Sequence, residues 1–173
     1  MFSGMHLIAT ALLLIPFTAR AGEDRVPAQK PFDDAEFVAK AASGDMFEVE
    51  LGKVADTRAR NDSVKKFSER MVADHGKSNE ALKKAAKAAG LTVPEKMNDE
   101  NQKEFDRFKE YKGENFDRDY ITTMVADHET DLAEFTRASK EAKNPAIKDF
   151  ATKTLPTVKA HLELAKKLQK EIK

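Results

Sequence analysis

The stretch Met71-Val72-Ala73-Asp74-His75 recurs letter for letter as Met124-Val125-Ala126-Asp127-His128. In each copy a methionine and a histidine stand four residues apart, which stacks both side chains on one face of an α-helix. Of the four histidines in the chain, His6 lies near the N-terminus and His161 sits midway along another helix-like stretch. Imidazole suits borderline metals such as Zn, Fe, Mn, Ni and Cu, and thioether sulfur would soften a site toward Cu(I).

Four long helical patterns must position these residues. The first runs from about Asp34 to Arg60, with Asp33 as N-cap and an apolar stripe of Phe37, Ala41, Gly44, Leu51 and Ala55. On a wheel of about 100° per residue, Glu48 falls at the centre of that stripe. Gly44 and Gly52 flank it by a turn on either side, an invitation to close approach by a neighbouring helix. The second pattern follows Asn61 or Asp62, carries Val64, Phe67, Met71, His75, Ser78 and Leu82, and stops at Gly90. A charged stretch from about Asn98 to Tyr111, with Phe105 and Phe108 as its large apolar residues, reads as a short crossover helix packed on the outside. The third long pattern runs from about Glu114 to Lys143 through Tyr120, Met124, His128, Leu132 (or Asp131) and Phe135. The fourth starts at Pro145 and continues to about Ile172 through Phe150, Leu155, Val158, His161, Leu162 and Leu168. Pro156 within it should kink the helix or free a carbonyl near His161.

Glu48, His75, His128 and His161 thus interrupt the apolar stripes of four different helices, each within about a turn of its helix midpoint. Mid-helix positions meet at one level whichever way each helix runs. The bundle therefore gathers one carboxylate and three imidazoles, a ligand set for a divalent or transition metal ion. Asp74 and Asp127 are turned about 100° from the histidines they precede, and could bond a histidine of a neighbouring helix. Met71 and Met124 lie one turn along the same face. The competing reading is a metal-free polar core, with neutral hydrogen-bonded histidines and gap-filling methionines.

At 173 residues the chain fits one domain, and 40% hydrophobic with 35% charged residues is the composition of long solvated helices. Lys+Arg and Asp+Glu balance at 30 each, so there is no electrostatic case for nucleic acid. The absence of cysteine excludes disulfides and thiolate ligands. Leu7–Phe17 is an apolar run of signal-peptide length ending in Ala19-Arg20-Ala21, so residues 1–21 read as a cleaved secretory signal, 22–32 as a polar tether and 33–173 as the bundle. An uncleaved anchor is the alternative; no later stretch is apolar enough to span a membrane. Nothing identifies a second apolar stripe, so a homo-oligomer stays open.

The combination Phe37-Val38…Ala41-Ala42…Glu48-Val49-Glu50-Leu51-Gly52, both Met-Val-Ala-Asp-His copies, Phe116-Asp117…Tyr120 and Leu155-Pro156-Thr157…His161-Leu162 resembles an exported bacterial family known as domain of unknown function 4142. The resemblance covers about Phe37 to Leu168. It implies an all-α, ferritin-like four-helix bundle with a short extra crossover helix, located in the periplasm or envelope, and it implies no activity. Its signature positions fall on Glu48, His75, His128 and His161. True di-iron bundles instead carry two Glu-x-x-His motifs. Here Val72, Val125 and Val158 stand three residues before the histidines, so a mononuclear site, or none, is expected rather than a ferroxidase centre. Function then reads as metal buffering, storage or stress protection, or as a metal-free structural bundle. No nucleophile motif or cofactor fingerprint points to an enzyme.

Overall fold

In the computed structural model, the structure described here covers residues 30–111 and 113–172. The expected signal and residues 22–29 of the tether lie outside the described residues. Within them the chain forms five helices: α1 (Asp34–Arg58), α2 (Asp62–Ala89), α3 (Asp99–Lys109), α4 (Phe116–Glu141) and α5 (Pro145–Glu171). None is long and apolar enough to cross a membrane.

Local chemistry sets the helix ends. Asp33 accepts from the backbone N–H groups of Ala35 and Glu36, Asn61 from Ser63 and Asn144 from Ala146. Gly90 adopts φ 69°, the left-handed cap that ends α2. Pro145 opens α5, and that helix runs on as one element through Pro156.

Two carboxylates staple the helix ends together. Asp117, in the first turn of α4, accepts from the backbone of Arg60 and Asn61 in the α1–α2 turn (2.7–3.2 Å). Asp34, opening α1, accepts from the backbone of Lys143 and Asn144 between α4 and α5 (3.0 and 2.7 Å). The start of α4 therefore lies beside the end of α1, and the end of α4 beside the start of α1. With α1 taken as up, α2 and α4 run down and α5 runs up. This is a four-helix bundle with one long crossover, between α2 and α4. The crossover helix α3 lies against α1: Arg58 donates to the carbonyls of Phe108, Lys109 and Tyr111, and Ser43 Oγ accepts from Asn98 N and Asn101 Nδ2.

The apolar core is divided. One cluster joins Leu51, Phe67, Met71, Tyr120, Met124 and Leu162; the other joins Phe37, Val38, Leu82, Phe135, Phe150 and Val158. In every long helix the residues between the two clusters include the buried polar ones: Asp45 on α1, His75 on α2, His128 on α4 and His161 on α5, with Glu48 one turn beyond Asp45. A polar layer crosses the bundle at mid-height. Gly52 permits the α1–α2 approach beside it, because a Cβ there would stand 2.8 Å from Val72 Cγ2 and 3.1 Å from the Ser68 carbonyl oxygen. The same role expected for Gly44 does not hold. A Cβ at Gly44 would meet nothing within 4 Å, since that face of α1 borders a cavity instead of a helix.

Candidate metal centre

The three imidazoles form a near-equilateral triangle. Their ring centroids stand 5.5 Å (His75–His128), 5.2 Å (His75–His161) and 5.3 Å (His128–His161) apart. One nitrogen from each lies within 4.8 Å of the other two. All three rings are buried, at 5%, 0% and 0% exposure in sequence order.

Proton placement follows from the partners. His128 Nδ1 lies 3.0 Å from the carbonyl oxygen of Met124, one turn back on α4, and a carbonyl can only accept; Nδ1 carries the hydrogen. His161 Nε2 lies 3.0 Å from Asp74 Oδ2 of α2. Burial works against the Asp74 charge, but the bonds from His161 and Arg70 prevail and hold its carboxyl below the usual range, so Nε2 carries the hydrogen. The remaining nitrogens, His128 Nε2 and His161 Nδ1, are then both lone pairs, and they face each other at 3.3 Å. Both rings are held neutral. Burial, then the charge of His75, pushes His161 down to about 4, and burial likewise lowers His128.

His75 is the charged member. Its Nδ1 lies 2.9 Å from Asp45 Oδ1 and 2.8 Å from Glu48 Oε2. Burial alone would lower its pKa, but Glu48 and Asp45 together hold it well above the usual value. Its Nε2 is buried with no hydrogen-bond partner. Glu48 Oε1 also lies 3.2 Å from His128 Nδ1. Glu48 thus stands on the Nδ1 edges of His75 and His128, its burial outweighed chiefly by the His75 charge so that its pKa is lowered.

The structure brings Glu48, His75, His128 and His161 into one layer. Asp74 reaches across to His161, whereas Asp127 meets no histidine and converges instead with Asp131 on Glu48. Met71 and Met124 are fully buried in the apolar cluster beside the layer, and Met124 contributes its backbone carbonyl to the site. The sequence pattern missed Asp45, held Asp131 only as an alternative to Leu132 on its stripe, and placed Asp127 beside a histidine rather than beside Glu48. Asp45 is 4% exposed and its pKa is raised to about 6 by burial; Asp127 and Asp131 are raised well above the usual value by burial and then by Glu48. The expectation of a single core carboxylate is therefore corrected. Two signals were available: Asp45-x-x-Glu48 and Asp127-x-x-x-Asp131 each stack two acids on one helical face.

These buried His, Glu and Asp groups could hold a metal ion. The donor set fits one: two imidazole nitrogens bound to a single tetrahedral Zn at about 2.0–2.1 Å would stand about 3.3 Å apart.

A family model described as "Domain of unknown function (DUF4142)" matches residues 19–168. No curated protein matches the chain. Among solved structures, the crystal structure of a DUF305 fragment from Deinococcus radiodurans is similar, with a TM-score of 0.68 at 12% identity over 82% of this chain and 99% of that one. At that identity the likeness shows the helical fold alone.

Proposed function

Because the chain belongs to the family of domains of unknown function DUF4142, membership carries no activity, and we propose from the site that the protein binds a transition metal ion (Zn, Fe, Mn or Cu) at the His75, His128 and His161 cluster. The observation that carries this reading is the 3.3 Å approach of His128 Nε2 to His161 Nδ1, two acceptors whose rings are fixed through their other nitrogens. A cation is what two converging lone pairs require. The anchors match the pattern in which a ligating imidazole donates its second N–H to a carboxylate or carbonyl, fixing tautomer and orientation. Met124 O does this for His128, Asp74 for His161, and Asp45 for His75, whose Nε2 gives up its proton as the metal binds. Glu48, the fourth expected ligand, supplies the compensating negative charge from the Nδ1 side.

Burial of the ligands favours metal buffering, storage or stress protection over catalysis, since no imidazole exposes an open position to a substrate. The apolar Leu7–Phe17 run before Ala19-Arg20-Ala21 supports work in the periplasm or envelope, and the bundle topology supports a place beside the ferritin-like proteins.

Elemental analysis of untagged protein tests the reading, followed by titration of the chelated protein with Co²⁺, whose visible absorption reports coordination by nitrogen. One equivalent of metal in the wild type, absent from His128→Leu, is the expected result. No metal after incubation with Zn, Fe, Mn and Cu salts would overturn it and leave the layer as a polar network that fixes helix register.

A further inference from the structure

Asp127 and Asp131, one turn apart on α4, converge on Glu48 of α1. One oxygen from each of the three carboxylates lies within 4.8 Å of the other two. Three acids at that spacing repel each other unless a proton or a metal stands among them. Glu48 is 1% exposed, and the Nδ1 atoms of His75 and His128 stand beside its oxygens at 2.8 and 3.2 Å without hydrogen-bond geometry, while Asp127 Oδ2 is shut off from solvent with no partner at all. A buried carboxylate oxygen without a hydrogen bond is costly.

A surface cavity of about 260 Å³ leads to this group, with Gly44, Asn98, Glu100, Asp127, Asp131 and Glu134 in its lining. The missing side chain at Gly44 keeps it open. Lys40 also lines it, but its ammonium is paired with Glu134 at 2.9 Å and Glu36 at 3.4 Å. Phe37, Ala41 and Phe135 make one apolar wall; the polar side is acidic and amide-bearing, and the room admits the water ligands that a hard cation retains.

We propose that Glu48, Asp127 and Asp131 form a second cation site, all-oxygen and suited to a hard divalent ion such as Mn²⁺ or Ca²⁺, entered through the Gly44 cavity. It lies against the Nδ1 edges of His75 and His128, away from their Nε2 atoms, and meets the histidine cluster through Glu48. The two sites differ in ligand chemistry: imidazole nitrogen on one side, carboxylate oxygen on the other. The carboxylate site does not depend on the histidines' binding a metal.

Mn²⁺ is the probe, with binding read from the loss of the free-ion EPR signal at pH 7.5. The wild type is expected to take up Mn²⁺ saturably, and Asp131→Asn and Asp127→Asn to weaken it at least tenfold. The asparagine variants should leave Co²⁺ absorption at the histidines unchanged, and His161→Ala should do the reverse. Because each asparagine removes a repelling, half-buried acid, thermal melts of the metal-free variants should match or exceed the wild type, which separates lost binding from lost folding. Absence of saturable Mn²⁺ uptake in the wild type would overturn the proposal. So would equal uptake by Asp131→Asn and Asp127→Asn, or loss of Mn²⁺ in His161→Ala alone, which would place the ion on the imidazoles. A failed Co²⁺ titration with intact Mn²⁺ binding would sink only the histidine reading.

Discussion

His128 Nε2 and His161 Nδ1 meet at 3.3 Å with no hydrogen between them, because Met124 O and Asp74 have already claimed the N–H of each ring. Without a cation this contact is a cost, and with one it becomes the bond that joins α4 to α5. Metal should therefore stabilise the wild type by mass action, by about 2.7 kcal/mol at a free concentration of 100 times Kd. For a domain of this size that corresponds to a rise in Tm of roughly 5–10 °C. His128→Leu removes one lone pair and keeps the volume. Its melting temperature, followed by circular dichroism, should be the same with metal and with chelator.

Asp74 touches no expected ligand atom, yet it fixes which nitrogen of His161 is free. Asp74→Ala should release the ring to rotate or change tautomer and weaken metal binding about 10- to 100-fold. Competition against a chromophoric chelator would show this directly. Arg70→Ala is the milder variant: Arg70 bonds Asp74 Oδ2, the oxygen that also accepts from His161, at 3.2 Å and from a half-exposed position. It should change affinity by less than about threefold, as expected for a half-exposed ion pair of small net value.

The histidines should titrate far apart in the metal-free protein. His161 is held down to about 4 by burial and the neighbouring His75 charge, while Glu48 and Asp45 overcome burial to hold His75 well above 6.5. Between pH 6.5 and 4 the unfolded chain takes a proton on His161 that the folded protein refuses. The contribution of His161 is thus full above about pH 6.5 and lost as pH falls toward 4, by about 3 kcal/mol. His75 has the opposite sign, its contribution being full below 6.5 and lost as pH rises through its folded pKa. Imidazole NMR shifts followed from pH 4 to 9 would check both directions. Denaturant midpoints of wild type against His161→Gln over the acid range would check the energy, because the other groups are common to both proteins.

Much of this arrangement was legible in the residues, for a physical reason. His75, His128, His161 and Glu48 each interrupt an apolar stripe at mid-helix, and a polar residue in that position must enter the core. The caps Asp33, Asn61 and Gly90, with Pro145 opening the last helix, announced the helix ends within a residue or two. Asp45 stayed hidden because it lies off the stripe, where an acid normally faces water. It is enclosed because α1 is wrapped by α2, α4 and α3 at once. Ser43 and Phe47 flank Asp45 and are buried with it, at 1% and 2% exposure. A helix covered on several sides shows little amphipathic contrast, so its period cannot say which acids are inside. Gly44 was misread for the same reason: an absent side chain marks a close approach or an opening, and only the packing distinguishes them.

Gly52 is the opposite case, and it yields the clearest test of packing beside the polar layer. An added Cβ would sit 2.8 Å from Val72 Cγ2 and 3.1 Å from the backbone oxygen of Ser68, and neither is the free end of a flexible chain. Gly52→Ala gains about 1 kcal/mol of helix propensity, but overpacking at this depth costs roughly 1–3 kcal/mol. The expected net loss is about 1 kcal/mol in chemical denaturation. Val72→Ala removes the nearer obstacle, so the double variant should recover part of that loss, with a coupling of about 0.5–1 kcal/mol. The Ser68 carbonyl would remain in the way, so recovery should be incomplete. Because Val72 precedes Asp74 and His75 by less than one turn, any shift of α2 away from α1 would also loosen the His75 contacts with Asp45 and Glu48. Gly52→Ala should therefore weaken metal binding as well as folding. Unchanged metal affinity alongside reduced stability would mean that the α1–α2 seam and the polar layer relax independently.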